Sequence, residues 1–134
     1  MAVKSIARAR PMLVVHCLQS SYEVYIGRGR DPISKEIGRL GNIYSHLGES
    51  KATYVVPTVE EAVERHETWA RAEILRDPAF RELVKSLYNA ELQRFKVLGC
   101  WCRTQRKPKV PCHGVTLLKL SAELNGVSLD VEDI

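Results

Sequence analysis

The feature that most constrains the fold is an apolar run ending in paired cysteines, Leu98-Gly-Cys-Trp-Cys102. After a polar, basic stretch it is followed by Pro111-Cys-His-Gly114. Such a run reads as a strand, expected over residues 95–102, that leads through a loop to the head of a helix. In α/β proteins, ligands and catalytic groups gather outside the C-terminal ends of such strands. Alternation along the strand predicts Cys100 and Cys102 on one face and Trp101 on the other. Cys112 and His113 then enter from across the loop, where free amides and the helix dipole favour anions and lower a thiol pKa.

The rest of the chain supplies short strands and capped helices. Met12 to Leu18 is a near-continuous apolar run of strand length, and Tyr22 to Ile26 is rich in β-formers. Gln19-Ser20-Ser21 is expected to join them as a hairpin. Residues 27–50 carry several glycines and read as a long loop, of the kind that is usually functional or disordered. Residues 52–56 suit a short extended segment. Thr58-Val-Glu-Glu61 is a capping box opening a helix to about Leu75, with Val59, Ala62, Val63, His66 and Ala70 on one face. Asp77-Pro78 restarts a second helix as N-cap and first residue. A third helix begins near Gly114, turns Leu117, Leu118, Ser121 and Leu124 inward, and stops at Asn125-Gly126. The expected fold is a single α/β domain over residues 11–126, a small mixed sheet packed with about three helices. A flexible basic segment (1–10) precedes it and an acidic tail (127–134) follows.

At 134 residues the chain is the size of one domain that can bury a core without staples. No window reaches the roughly 18 apolar residues that a membrane span needs. The basic start, Met1 to Arg10, has too short an apolar run for a secretory signal, so a cytoplasmic protein is expected. Thiols stay reduced there, and clustered cysteines point to metal or catalysis before disulfides. A net charge of +4 permits an anionic partner without demanding one.

Three readings of the cysteine–histidine cluster stand open. In one, Cys100, Cys102, Cys112 and His113 bind zinc, since three cysteines and a histidine are a common tetrahedral set. Their spacing is unfamiliar, and adjacent Cys112 and His113 point apart on a regular helix. In the second, the cluster is the reactive end of an anion or nucleotide pocket, with Cys102 or Cys112 as nucleophile and His113 as acid or base. In the third, the cysteines are small buried hydrophobes of the sheet.

Tyr25-Ile-Gly-Arg-Gly-Arg30 follows a strand, and its glycines and arginines suit a phosphate, with Arg28 the best placed between Gly27 and Gly29. Taken together, YIGRG at Tyr25 to Gly29, Gly41-Asn42, the capped helix with Trp69, LGCWC at Leu98 to Cys102 and CHG at Cys112 to Gly114 resemble the family called domain of unknown function 4326. The resemblance covers roughly residues 13–124. It implies a small protein of prokaryotes or phages with a site at the two cysteine motifs, and no particular reaction. This chain departs from the family pattern at Ile43-Tyr44, in a longer loop between the cysteine motifs, and at Val115.

The function expected is binding or processing of a nucleotide or nucleotide-derived ligand. Arg28, Gly27, Gly29, Asn42 and Arg103 would hold it, and Cys102, Cys112 and His113 would act on it. Asn42, Tyr44 and His46 are candidates for a lid or base-recognition surface. The basic loop 103–109 is a candidate contact for nucleic-acid phosphates. The alternative is a non-enzymatic, zinc-stabilised or structural module serving a phage or host as an accessory factor on nucleic acid or protein. Trp69, His16 and Cys17 are expected in the core.

Overall fold

The computed structural model describes residues 12–45, 54–103, 106, 109–130 and 133–134. The basic N-terminal segment and His46 lie outside the described residues. The centre of the fold is the cysteine strand. Its apolar residues Leu98, Gly99 and Cys100 are all buried, as in a strand covered on both faces. It takes a parallel partner on each edge. β1 (Val14–His16) lies on one side with Val14 opposite Leu98, β2 (Val24–Tyr25) on the other with Val24 opposite the same residue. The sheet order is therefore first strand, cysteine strand, second strand.

This arrangement corrects the expected hairpin. The amides of Gln19 and Ser20 bond back to the His16 carbonyl, so the turn exists. The chain leaves it running parallel to its first strand, with a gap between them that the cysteine strand fills. Two separate pairs of short strands flank this sheet. β3 (Tyr44–Ser45) and β4 (Tyr54–Val55) run parallel, and β5 (Tyr88–Asn89) and β6 (Arg94–Phe95) antiparallel. In chain order the cysteine strand is β7 (Leu98–Cys100).

The expected strand over 95–102 is thus divided. Phe95 belongs to β6, and the Glu23 carboxylate accepts the Val97 amide while holding Arg94 in a bidentate pair. After Cys100 the chain bends at Trp101 and Cys102.

The helices follow their caps. In α1 (Val59–Arg76) the Thr58 hydroxyl accepts the Glu61 amide at 3.0 Å. Asp77 ends α1 and starts α2 (Pro78–Lys85), its carboxylate accepting from Ala79 and Phe80. α3 (His113–Asn125) begins on Cys112 and ends on Gly126, which takes the left-handed conformation that favours glycine there (φ 65°). α3 packs against α1 and α2, and Gly114 brings its first turn onto Val14 and Ile26 of the sheet. Leu117, Leu118 and Ser121 are fully buried, as their spacing predicts. The C-terminal stretch also joins the body, because Val127 and Leu129 pack on the core and Ile134 is buried. The result is a single mixed α/β domain with three helices among the described residues. No helix among them is long and apolar enough to cross a membrane.

Candidate functional site

Three local events bring the cysteines together. β7 ends on buried Cys100, the bend at Trp101 returns the Cys102 sulfur toward it, and the extended Cys112 (φ −148°, ψ 143°) caps α3 from across the loop. The three sulfurs lie within 4.8 Å of one another. Cys112 Sγ stands 3.5 Å from Cys100 Sγ and accepts the Gly114 amide. Cys102 is an exposed residue, whereas Cys100 and Cys112 are buried. The neighbouring Cys102 and Cys112 side chains hold the Cys100 thiol below its ordinary range, against the opposing effect of burial. The protons that stay behind push Cys102 and Cys112 up.

His113 stands beside this set rather than in it. Its Nε2 lies 2.7 Å from the Ile26 carbonyl and 3.0 Å from that of Leu40. Both are acceptors, so Nε2 carries the proton and Nδ1 keeps its lone pair, 3.9 Å from Cys112 Sγ. Burial holds the ring neutral. Of the expected set of three cysteines and His113, the three sulfurs form the compact group, and His113 approaches Cys112 alone.

Two cavities meet at this cluster. One, of about 680 Å³, is lined by Gly27, Arg28, Gly29, Trp101, Cys102 and His113 among others. A second, of about 290 Å³, shares Arg28, Trp101, Cys102 and His113 and adds Asn42, Tyr44 and Cys112. Both open at the C-terminal ends of parallel β2 and β7, where such sheets bind ligands.

Arg28 is positioned by a relay. The Trp101 indole N–H donates to the Tyr25 hydroxyl (2.6 Å), which donates to the Arg28 carbonyl (2.9 Å). Arg28 Nη1 donates to the Asn42 carbonyl at 2.6 Å. Gly27 is required for this close packing, since a Cβ there would lie 2.4 Å from the Tyr25 hydroxyl. Gly29 has a φ of 79°, the region glycine allows.

The other expected ligand groups bond to the protein itself. Asn42 is buried with both polar ends engaged, Nδ2 donating to the Ala62 carbonyl and Oδ1 accepting the Tyr44 amide. It positions the 41–44 loop, and through it Arg28. Arg103 is only 3% exposed, donates from Nε to the Val110 carbonyl and lines neither cavity. Its Nε braces the loop, while Nη1 is buried with no partner among the described residues. Lys109 Nζ reaches the Ile134 carbonyl. Trp69 packs against Phe80, Cys17 is buried, and His16 sits edge-on to Trp101.

One residue gained importance only in three dimensions. His66, on the inner face of α1, is fully buried, its ring 4.9 Å from that of His113, and neither nitrogen has a partner. The signal was present as an imidazole on an apolar stripe, but its neighbour lies far away in sequence. Burial, and then the neighbouring His113, lower its pKa to about 2. Unfolded, His66 takes up a proton near its ordinary 6.5, so between these values the unfolded state binds more protons. Its contribution is complete above about pH 6.5 and is lost as pH falls toward 2. His66→Leu is expected to remove a slope of about 1.4 kcal/mol per pH unit below that point. It should also raise stability near neutral pH by about 1–3 kcal/mol, the cost of an unsatisfied buried polar group. Urea unfolding of both proteins across a pH series checks this, and equal slopes would contradict it.

The chain belongs to the family described as domain of unknown function (DUF4326), whose model matches residues 15–123. That span contains every element of the site. No match was found among curated proteins or among solved structures.

Proposed function

We propose that this protein binds a nucleotide or nucleotide-derived anion in the cleft between Gly27–Arg30 and Cys100–Cys102, with the cysteine cluster and His113 at its reactive end. The observation that carries the reading is the shared lining of the two cavities: Arg28, Trp101, Cys102 and His113 border both. Only Nη1 of Arg28 is engaged among the described residues, so the rest of the guanidinium fork is free for a bidentate phosphate contact. Trp101, 48% exposed, offers an aromatic surface to a base. The head of α3 adds a favourable dipole for negative charge.

Cys102, the exposed member of the trio, is the sulfur that a ligand in the larger cavity meets. Cys112 supports it from the buried side. Within the basic loop, Arg103 and Lys109 are turned to the protein itself and Arg106 is exposed.

Thermal shift with nucleosides and their mono-, di- and triphosphates tests the reading. A ligand held at about 100 times its Kd adds about 2.7 kcal/mol to stability. Phosphorylated ligands are expected to raise Tm and the bare nucleosides to do so less. A Tm unmoved by the whole series would refute the proposal.

A further inference from the structure

We infer that Cys100, Cys102 and Cys112 together bind one zinc ion, with its fourth coordination position turned to the cleft. The inference specifies the reactive end of the site proposed above, and its own test needs no nucleotide. Distance, ligand chemistry and coordination number support it.

The first is distance. Zinc–sulfur bonds of about 2.3 Å in a tetrahedron place sulfurs roughly 3.8 Å apart. The three here all lie within 4.8 Å of one another, with Cys100 and Cys112 at 3.5 Å. They therefore converge on a single ion. An iron–sulfur cluster would spread its cysteine ligands over several irons.

The second is ligand chemistry. Three thiolates form a soft donor set that favours zinc over magnesium or calcium. Their protons leave to solvent as the zinc–sulfur bonds form. A dipositive ion on three thiolates leaves one net negative charge. The Arg28 guanidinium borders the same two cavities as Cys102, and its positive charge complements that site.

The third is the coordination number. Structural zinc sites are closed by four protein ligands, whereas catalytic sites keep one position open. Among the described residues, no other histidine, cysteine or carboxylate joins the three-sulfur group. His113, the nearest imidazole, holds Nδ1 3.9 Å from Cys112 Sγ but does not come within 4.8 Å of all three sulfurs. The open position thus belongs to water or to a donor atom of whatever occupies the cavities that Cys102 lines.

The experiment uses the full chain, purified under reducing conditions without chelator. About one equivalent of zinc per chain is expected. Cobalt substitution should give sulfur-to-metal charge transfer and tetrahedral ligand-field bands, and cyanide should shift those bands by entering the open position. Cys102→Ser, a change at an exposed residue, should weaken zinc binding at least about tenfold, within the range seen when a metal site loses support. Cys17→Ser should leave it unchanged. Circular dichroism on each variant separates loss of metal from loss of fold, and Cys102→Ser decides the matter if Cys112→Ser does not fold. Protein that takes up neither zinc nor cobalt through sulfur, or a Cys102→Ser variant with unaltered affinity, would overturn the zinc site. Cobalt bands indifferent to cyanide would overturn the open position. Zinc present with no nucleotide response would sink the nucleotide reading alone.

Discussion

A Gly99→Val protein is expected to melt roughly 10–20 °C below the parent, from a loss of about 3–5 kcal/mol. Gly99 is the middle residue of the central strand, and the Tyr22 ring lies flat against it. A Cβ there would come within 2.5 Å of Tyr22 Cγ and 2.7 Å of Cδ1. These are rigid ring atoms, not the end of a flexible chain. The ring cannot simply withdraw, because its hydroxyl is bonded to Asp31, whose carboxylate also takes the Ile33 amide. Moving the backbone instead would break the ladder that seats β1 and β2 on either side of β7. Adding Tyr22→Ala should recover part of the loss, and the double-mutant cycle measures that coupling directly. A Gly99→Val protein with the parent's Tm would show that this face of the sheet is not packed as described.

Arg28→Ala is expected to weaken nucleotide binding by about 10–100-fold while leaving zinc content unchanged. The estimate follows from the worth of a hydrogen bond to a charged group, about 1.5–3 kcal/mol. Arg28→Lys should restore only part of this, because an ammonium keeps the charge and loses the planar fork. The lysine variant also separates binding from mere loop support, since Arg28 ties the 41–44 loop through the Asn42 carbonyl. Calorimetric titration of the three proteins checks it. Equal affinities would remove Arg28 from the ligand site.

What the sequence disclosed follows the range of the interactions involved. Thr58, Asp77-Pro78 and Gly126 act on amides and carbonyls within a few residues of themselves, so all three helices were legible, with every cap but Cys112 at the head of α3. The hairpin expectation failed for the opposite reason. Gln19-Ser20 does make a turn, but the partner that separates β1 from β2 arrives only at Leu98, and no local signal reports a strand inserted from so far away.

The site divides in the same way. The two cysteine motifs announced themselves, and the cap at Cys112 explains both how its sulfur reaches Cys100 and why His113 does not join it. Arg28, singled out from its place after a strand, lines both cavities. The burial of Arg103 was not legible, since an arginine in a basic loop gives no sign that its Nε will be held by the Val110 carbonyl. Asn42 drew notice as a loop residue and proved to be a brace to α1. His66 lay in plain view on the apolar stripe of α1. Its meaning depends on the ring of His113, which only the packing of α1 on α3 supplies.

Arsenite binding to the reduced, metal-free protein reports most directly on whether three sulfurs from one strand end, one bend and one helix cap share a single point in space. Trivalent arsenic takes three thiols at once. Uptake of one arsenic per chain, abolished by serine at position 100, 102 or 112 and indifferent to Cys17→Ser, is the predicted result. A protein that takes up no arsenic, or one whose uptake survives any of those three changes, would contradict the convergence on which the site is built.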